Sequence, residues 1–100
     1  MIRGTTPTHV FNIAFDASEL KSVRITYAQN DEVVITKETD DCKLKGNKIT
    51  TTLTQEETLK LNCKKRVQIQ LRALTKSGVS LSTLVKIVPV DKCLDNEVLQ

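Results

Sequence analysis

Few side chains in this sequence have the types that chemistry needs: His9, the carboxylates Glu38, Asp40 and Asp41, the adjacent pair Glu56 and Glu57, and the thiols of Cys42, Cys63 and Cys93. Paired carboxylates can divide acid and base work, but neighbours one residue apart on a helical turn point different ways. Glu56 and Glu57 lie in the stretch LTQEETLKLNC (53–63), which opens with Thr-x-x-Glu, so helix capping explains them better than catalysis. His9 is the one histidine and alternates in register with Phe11 and Ile13, the placement of a strand histidine rather than a general base. Glu38, Asp40 and Asp41, with Thr39 among them, are the candidate ligands for a hard cation, although the Asp-x-Asp-x-Asp-Gly order of a calcium loop is missing. The cysteines are spaced too widely and are too odd in number for a disulfide framework or a zinc site, and read as small buried hydrophobes. The three glycines, at 4, 46 and 78, build no phosphate loop. The expectation is a protein with no catalytic residues and no cofactor.

Composition restricts the partners as well. The chain has 100 residues, enough for one modest core, and carries 15 basic and 12 acidic residues with the signs interleaved. The densest basic cluster is Lys60, Lys64, Lys65 and Arg66, with Lys43, Lys45 and Lys48 near the preceding turn. A nucleic-acid face wants such a patch beside aromatic stacking platforms, and Phe11, Phe15 and Tyr27 are the only aromatics. No window approaches the roughly 20 apolar residues of a membrane-spanning helix, and the first residues lack the apolar run of a signal peptide. Nucleic acid and membrane are therefore not expected partners. The expected location on synthesis is a reducing cytoplasm.

The elements that must position these residues have a period of two. THVFNIAF (8–15) puts His9, Phe11, Ile13 and Phe15 on one face; LKSVRITYAQ (20–29) sets Val23, Ile25 and Tyr27 against Arg24, Thr26 and Ala28. EVVITKE follows across Asn30-Asp31, CKLK and KITTTLT flank Gly46-Asn47, and both dipeptides favour tight hairpins. KRVQIQLRALT gives the longest alternation, with Val67, Ile69, Leu71 and Ala73 inward and Gln68, Gln70 and Arg72 outward, and belongs in mid-sheet. A hairpin at Lys76–Gly78 leads to VSLSTLVKIVPV, whose Pro89 places the strand end at an edge. Residues 91–100 lack a clear period and read as a flexible tail.

About seven short strands in 100 residues predict a single all-β domain: an immunoglobulin-like, two-layer antiparallel β-sandwich with one short helical turn between strands five and six. That turn is too short to stand alone, so Leu59 and Leu61 should pin it to the open end of the sandwich. The immunoglobulin hallmarks are absent: there is no Trp, no cysteine pair joins strands two and six, and Tyr27 is on the wrong strand for a tyrosine corner.

The segments RGTTPTHVFNIAFD, ITYAQND, LTQEETLKLNC, VQIQLRALTKSG and VDKCLDNEVLQ, spanning nearly the whole chain, resemble a group of short β proteins encoded in phages and prophages of Gram-positive gut bacteria. The resemblance carries over no functional residues. It implies a non-enzymatic structural or protein-interaction module of a virion or accessory structure, with itself or other phage structural proteins as partners. An outward row of Thr26, Gln29, Gln68, Gln70 and Arg72 is the expected contact surface, since glutamines on a strand can bond across an interface. The alternative is a small ligand-binding sandwich that takes a divalent cation or a carbohydrate in its end loops. Sugar binding usually wants exposed aromatics, and this chain has few to offer.

Overall fold

In the computed structural model, which describes all 100 residues, the alternating segments become eight strands in two antiparallel sheets packed as a sandwich. The smaller sheet has the order β1–β5–β4, from β1 (Thr8–Asn12), β4 (Cys42–Lys45) and β5 (Lys48–Thr52). The larger has the order β3–β2–β6–β7, from β2 (Leu20–Gln29), β3 (Glu32–Glu38), β6 (Val67–Thr75) and β7 (Ser80–Ser82), and β8 (Lys86–Val88) also pairs with β6. The longest ladder, Ser22↔Leu74 to Ala28↔Gln68, joins β2 to β6 and makes β6 the mid-sheet strand its alternation predicts.

Two expected strands are shorter than their sequence patterns. β1 stops at Asn12, where Ile13 donates its N–H to the carbonyl of Asn47 and the Asp16 carboxylate then caps a 3₁₀ turn over Ala17–Glu19 through the Ser18 N–H, 2.8 Å away. The expected seventh strand divides into β7 and β8. Between them the Thr83 hydroxyl accepts the Leu71 N–H at 3.0 Å while the Thr83 N–H donates to the Leu71 carbonyl at 2.9 Å. A side chain replaces one rung of the ladder there, so the segment bends without leaving the Leu71 amide unpaired. β8 ends at Val88, directly before Pro89, on the outer side of β6.

The hairpins follow local turn chemistry. Asn30 and Asp31 both take the left-handed conformation, with φ of 50° and 63°, which matches the twist of the β2–β3 pair. Inward-facing Val23, Ile25 and Tyr27 of β2, Val67, Ile69 and Leu71 of β6, and Ile49 of β5 form the core with Leu53 and Leu61. Those last two bracket α1 (Gln55–Leu59), the capped turn that carries the chain from β5 to β6 and so from one sheet to the other.

α1 is held as its sequence predicts at one end and more firmly than predicted at the other. The Glu57 N–H donates to the Thr54 hydroxyl at 3.1 Å, and the Glu57 carboxylate accepts the Thr54 N–H at 2.9 Å. Leu61 is buried, but Leu59 is only half-buried; the third anchor is Thr58, fully buried, with its hydroxyl donated to the carbonyl of Thr5. Arg3 reaches the Leu59 carbonyl with one guanidinium nitrogen at 2.7 Å and the Asn96 side chain with the other at 2.9 Å. The Gln55 amide meanwhile pairs with both the N–H and the carbonyl of Leu99. The C-terminal segment is thereby tied to the crossover at Leu99 through Gln55, and at Asn96 through Arg3.

Candidate functional sites: a sheet face and an open seam

The outward residues of β2, β3, β6 and β8 make one face. Backbone register aligns Val33, Ala28, Gln68 and Ile87 in a single row across four strands, with Thr26 and Gln70 opposite each other in the next row and Arg24 opposite Arg72 beyond them. Val33 and Ile87 are more than half exposed, at 63% and 55%, and Val85 beside them is close behind. One end of this face is acidic, from Asp31 at the hairpin, whose carboxylate accepts from Gln68; Glu32 pairs with inward-facing Gln29 and lies on the other face. The opposite end carries Arg24, paired with Glu38 at 2.9 Å, and Arg72.

Of the glutamines expected on this surface, Gln68 and Gln70 are there and Gln29 is not. Gln29 shares parity with Val23, Ile25 and Tyr27, so the period of two turns it inward, and it is only 6% exposed. Its amide donates to the carbonyls of Asn62 and Lys65 at 2.8 and 3.1 Å and accepts the Asn62 N–H at 2.9 Å, tying the loop after α1 to the end of β2. Gln68 clamps the hairpin, accepting the Asp31 N–H and donating to the Asp31 carboxylate at 2.8 and 2.9 Å. Gln70 donates to the Ser82 hydroxyl and the Thr83 carbonyl. Arg72 is exposed, as its sequence position predicts.

The expected cation ligands lie elsewhere and do not converge into a group that could hold a metal ion. Asp41 accepts the Glu38 N–H at 2.9 Å, which closes a small capping box around the 3₁₀ turn at Thr39–Asp41; Glu38 faces Arg24, and Asp40 is exposed. The three cysteines are free thiols, half-buried rather than fully buried. Burial pushes the Cys42 thiol above its ordinary pKa.

Two inward polar groups have partners that a reading of the sequence does not supply. Lys37 occupies the inward position of β3 opposite Ile25, 8% exposed, and its ammonium meets the Glu57 carboxylate at 2.6 Å. Burial works to raise the Glu57 pKa, but the Lys37 ammonium and the Thr54 N–H outweigh it and hold the carboxyl below its ordinary value. The spacing of Ile35 and Lys37 marks the lysine as inward-facing; nothing in the sequence links it to a glutamate twenty residues on.

The second group is His9. Its Nδ1 lies 2.7 Å from the hydroxyl of Tyr27, a fully buried tyrosine whose pKa burial pushes far above the ordinary phenol value. The phenol thus keeps its proton, and the imidazole is the one acceptor it meets, so it donates to Nδ1 and the neutral ring carries its own proton on Nε2. Burial, and after it nearby positive charge that includes Lys86, holds the His9 pKa below its ordinary value. His9 lines a cleft of about 390 Å³ between β1 and β8, the outer strands of the two sheets along one side of the sandwich.

No helix is long and apolar enough to cross a membrane. Against protein families, curated proteins and solved structures alike, the chain finds no match.

Proposed function

We infer that the protein is a non-enzymatic interaction module that assembles with a second copy of itself through the outer face of its larger sheet. The exposed row of Val33, Ala28, Gln68 and Ile87 carries this reading: apolar side chains rimmed by polar ones mark interaction surfaces. Four strand positions and the length of β2 give the face roughly 600 Å². Two such faces together reach the lower end of specific interfaces, about 1,200 Å². A two-fold axis lying in the face and perpendicular to the strands sets Arg72 of one copy near Asp31 of the other, so the charge distribution favours this partner.

The strand order β1–β5–β4 against β3–β2–β6–β7 supports an immunoglobulin-like reading, corresponding to B, E, D and C′, C, F, G. The resemblance to phage-encoded β proteins supports a place in a virion or accessory structure. There other phage structural proteins would be further partners for the same face.

Sedimentation equilibrium over a wide concentration range tests the assembly. The expected result is a reversible dimer that Val33→Asp and Ile87→Asp each convert to monomer while leaving the circular dichroism spectrum unchanged. A chain still monomeric at about 1 mM, where even an association of −4 kcal/mol would register, would overturn the reading.

A further inference from the structure

The cleft between β1 and β8 is independent of the sheet face and has a chemistry of its own. In a closed sandwich the inward residues of the two outer strands would meet; here they stand apart and leave about 390 Å³, within the usual range for small-molecule sites of about 300–1,000 Å³. Phe11 from β1, Ile69 from β6 and Val88 from β8 supply apolar walls, and Pro7 closes one side. Three polar side chains interrupt them: Thr8, whose hydroxyl pairs with that of Thr52, Lys86 and His9. Lys86 occupies the inward position of β8 opposite Ile69, where alternation calls for an apolar residue, and it makes no ion pair. His9 has its Nδ1 committed to Tyr27, which leaves Nε2–H as a donor on the opposite edge of the ring. No aspartate or glutamate lines the cleft.

The Lys86 ammonium and the His9 N–H amid apolar walls match an anion with a short apolar body, and the Met1 ammonium, which donates to the Pro89 carbonyl at 3.0 Å, adds to the positive field there. We propose that this cleft binds a small organic monocarboxylate, its carboxylate held by Lys86 Nζ and His9 Nε2–H and its apolar chain lying along Phe11, Ile69 and Val88. A chain of roughly six to ten carbons suits a cleft near the lower end of the size range. The charge pattern selects an anion over an uncharged amphiphile, which would gain no charge-assisted bond from Lys86. A competing account treats the inward lysine as a guard that stops the β8 edge from pairing with another strand. The two accounts diverge on what its removal does.

The test is a titration of the full chain with sodium octanoate, followed by ¹H–¹⁵N correlation spectra, with 1-octanol as the uncharged chain of equal length. Binding of octanoate should shift the amides of residues 8–11 and 86–88 and the His9 Nε2 resonance. Octanol should bind more weakly by roughly tenfold or more, the cost of a lost charge-assisted bond. Lys86→Gln, at an exposed position that leaves the fold intact, should weaken octanoate to a similar degree and leave octanol unaffected. His9→Gln, which keeps an N–H donor but shifts its position, should weaken octanoate in the same way. Equal affinity for octanoate and octanol, shifts confined to other regions, or no shifts at all would overturn the proposal. So would a Lys86→Gln variant that binds octanoate as the parent does while oligomerising through β8.

Discussion

Glu57 serves two structures at once, and replacing it by glutamine separates them. A glutamine at 57 still offers an oxygen to the Thr54 N–H, so the capping box can survive, but the charge facing Lys37 is gone. Breaking a fully buried pair from one side costs about 3–5 kcal/mol because the remaining charge is stranded. Here the two side chains keep 10% and 20% of their exposure, so the expected loss for Glu57→Gln is smaller, about 2–3 kcal/mol at pH 7. Lys37→Met should cost less, about 1 kcal/mol, because Glu57 retains the Thr54 N–H and some solvent. The double variant should lose about 1.5–2.5 kcal/mol, less than the two single losses together, for a coupling of about 1.5 kcal/mol. Thr54→Ala is the complementary perturbation: it removes the cap and spares the ion pair, for about 1 kcal/mol.

The pH dependence has a definite sign. Folding lowers the Glu57 pKa, so its contribution is fully present above the ordinary glutamate value of 4.5 and is lost as the pH falls through the lower folded value. Urea denaturation at pH 7 should therefore separate parent from Glu57→Gln. The gap should narrow steadily at pH values below 4.5. A variant within about 0.5 kcal/mol of the parent at pH 7, or a gap that stays constant into acid, would refute the claim that this pair anchors α1 to β3.

Two further perturbations probe the scaffold. Gln29→Leu strips three hydrogen bonds from the loop after α1 and should cost about 2–3 kcal/mol in urea denaturation, with faster hydrogen exchange at the Asn62 amide. Asn30→Ala forces a Cβ-bearing residue without a helpful side chain into φ near 50° and should cost about 1 kcal/mol by thermal melting, whereas Asn30→Gly should stay within about 0.5 kcal/mol of the parent.

Much of the architecture was legible because the signals are local. Alternation places Val67, Ile69, Leu71 and Ala73 inward, and all four are buried. Asn30-Asp31 forms the β2–β3 hairpin, and Thr54 with Glu57 builds the capping box its spacing predicts. The expected contact row was legible only in part. Gln68, Gln70 and Arg72 follow the outward parity of β6, whereas Gln29 follows the inward parity of Tyr27; the polar character of its side chain suggests the surface and its position overrides that. The split between β7 and β8 was hidden because the Thr83 hydroxyl substitutes for a backbone rung, which no periodicity registers.

By itself, then, the sequence determined which segments are strands, where they turn and how α1 begins, since each depends on residues within a few positions of one another. Only the tertiary structure decided that Lys37 meets Glu57, that Tyr27 turns the imidazole of His9 so that Nε2–H is its free donor, and that β1 and β8 leave an open seam with Lys86 on its wall. Those contacts join residues eighteen or more positions apart, brought together when two sheets pack, and no local pattern of residues encodes which inward-facing groups will meet.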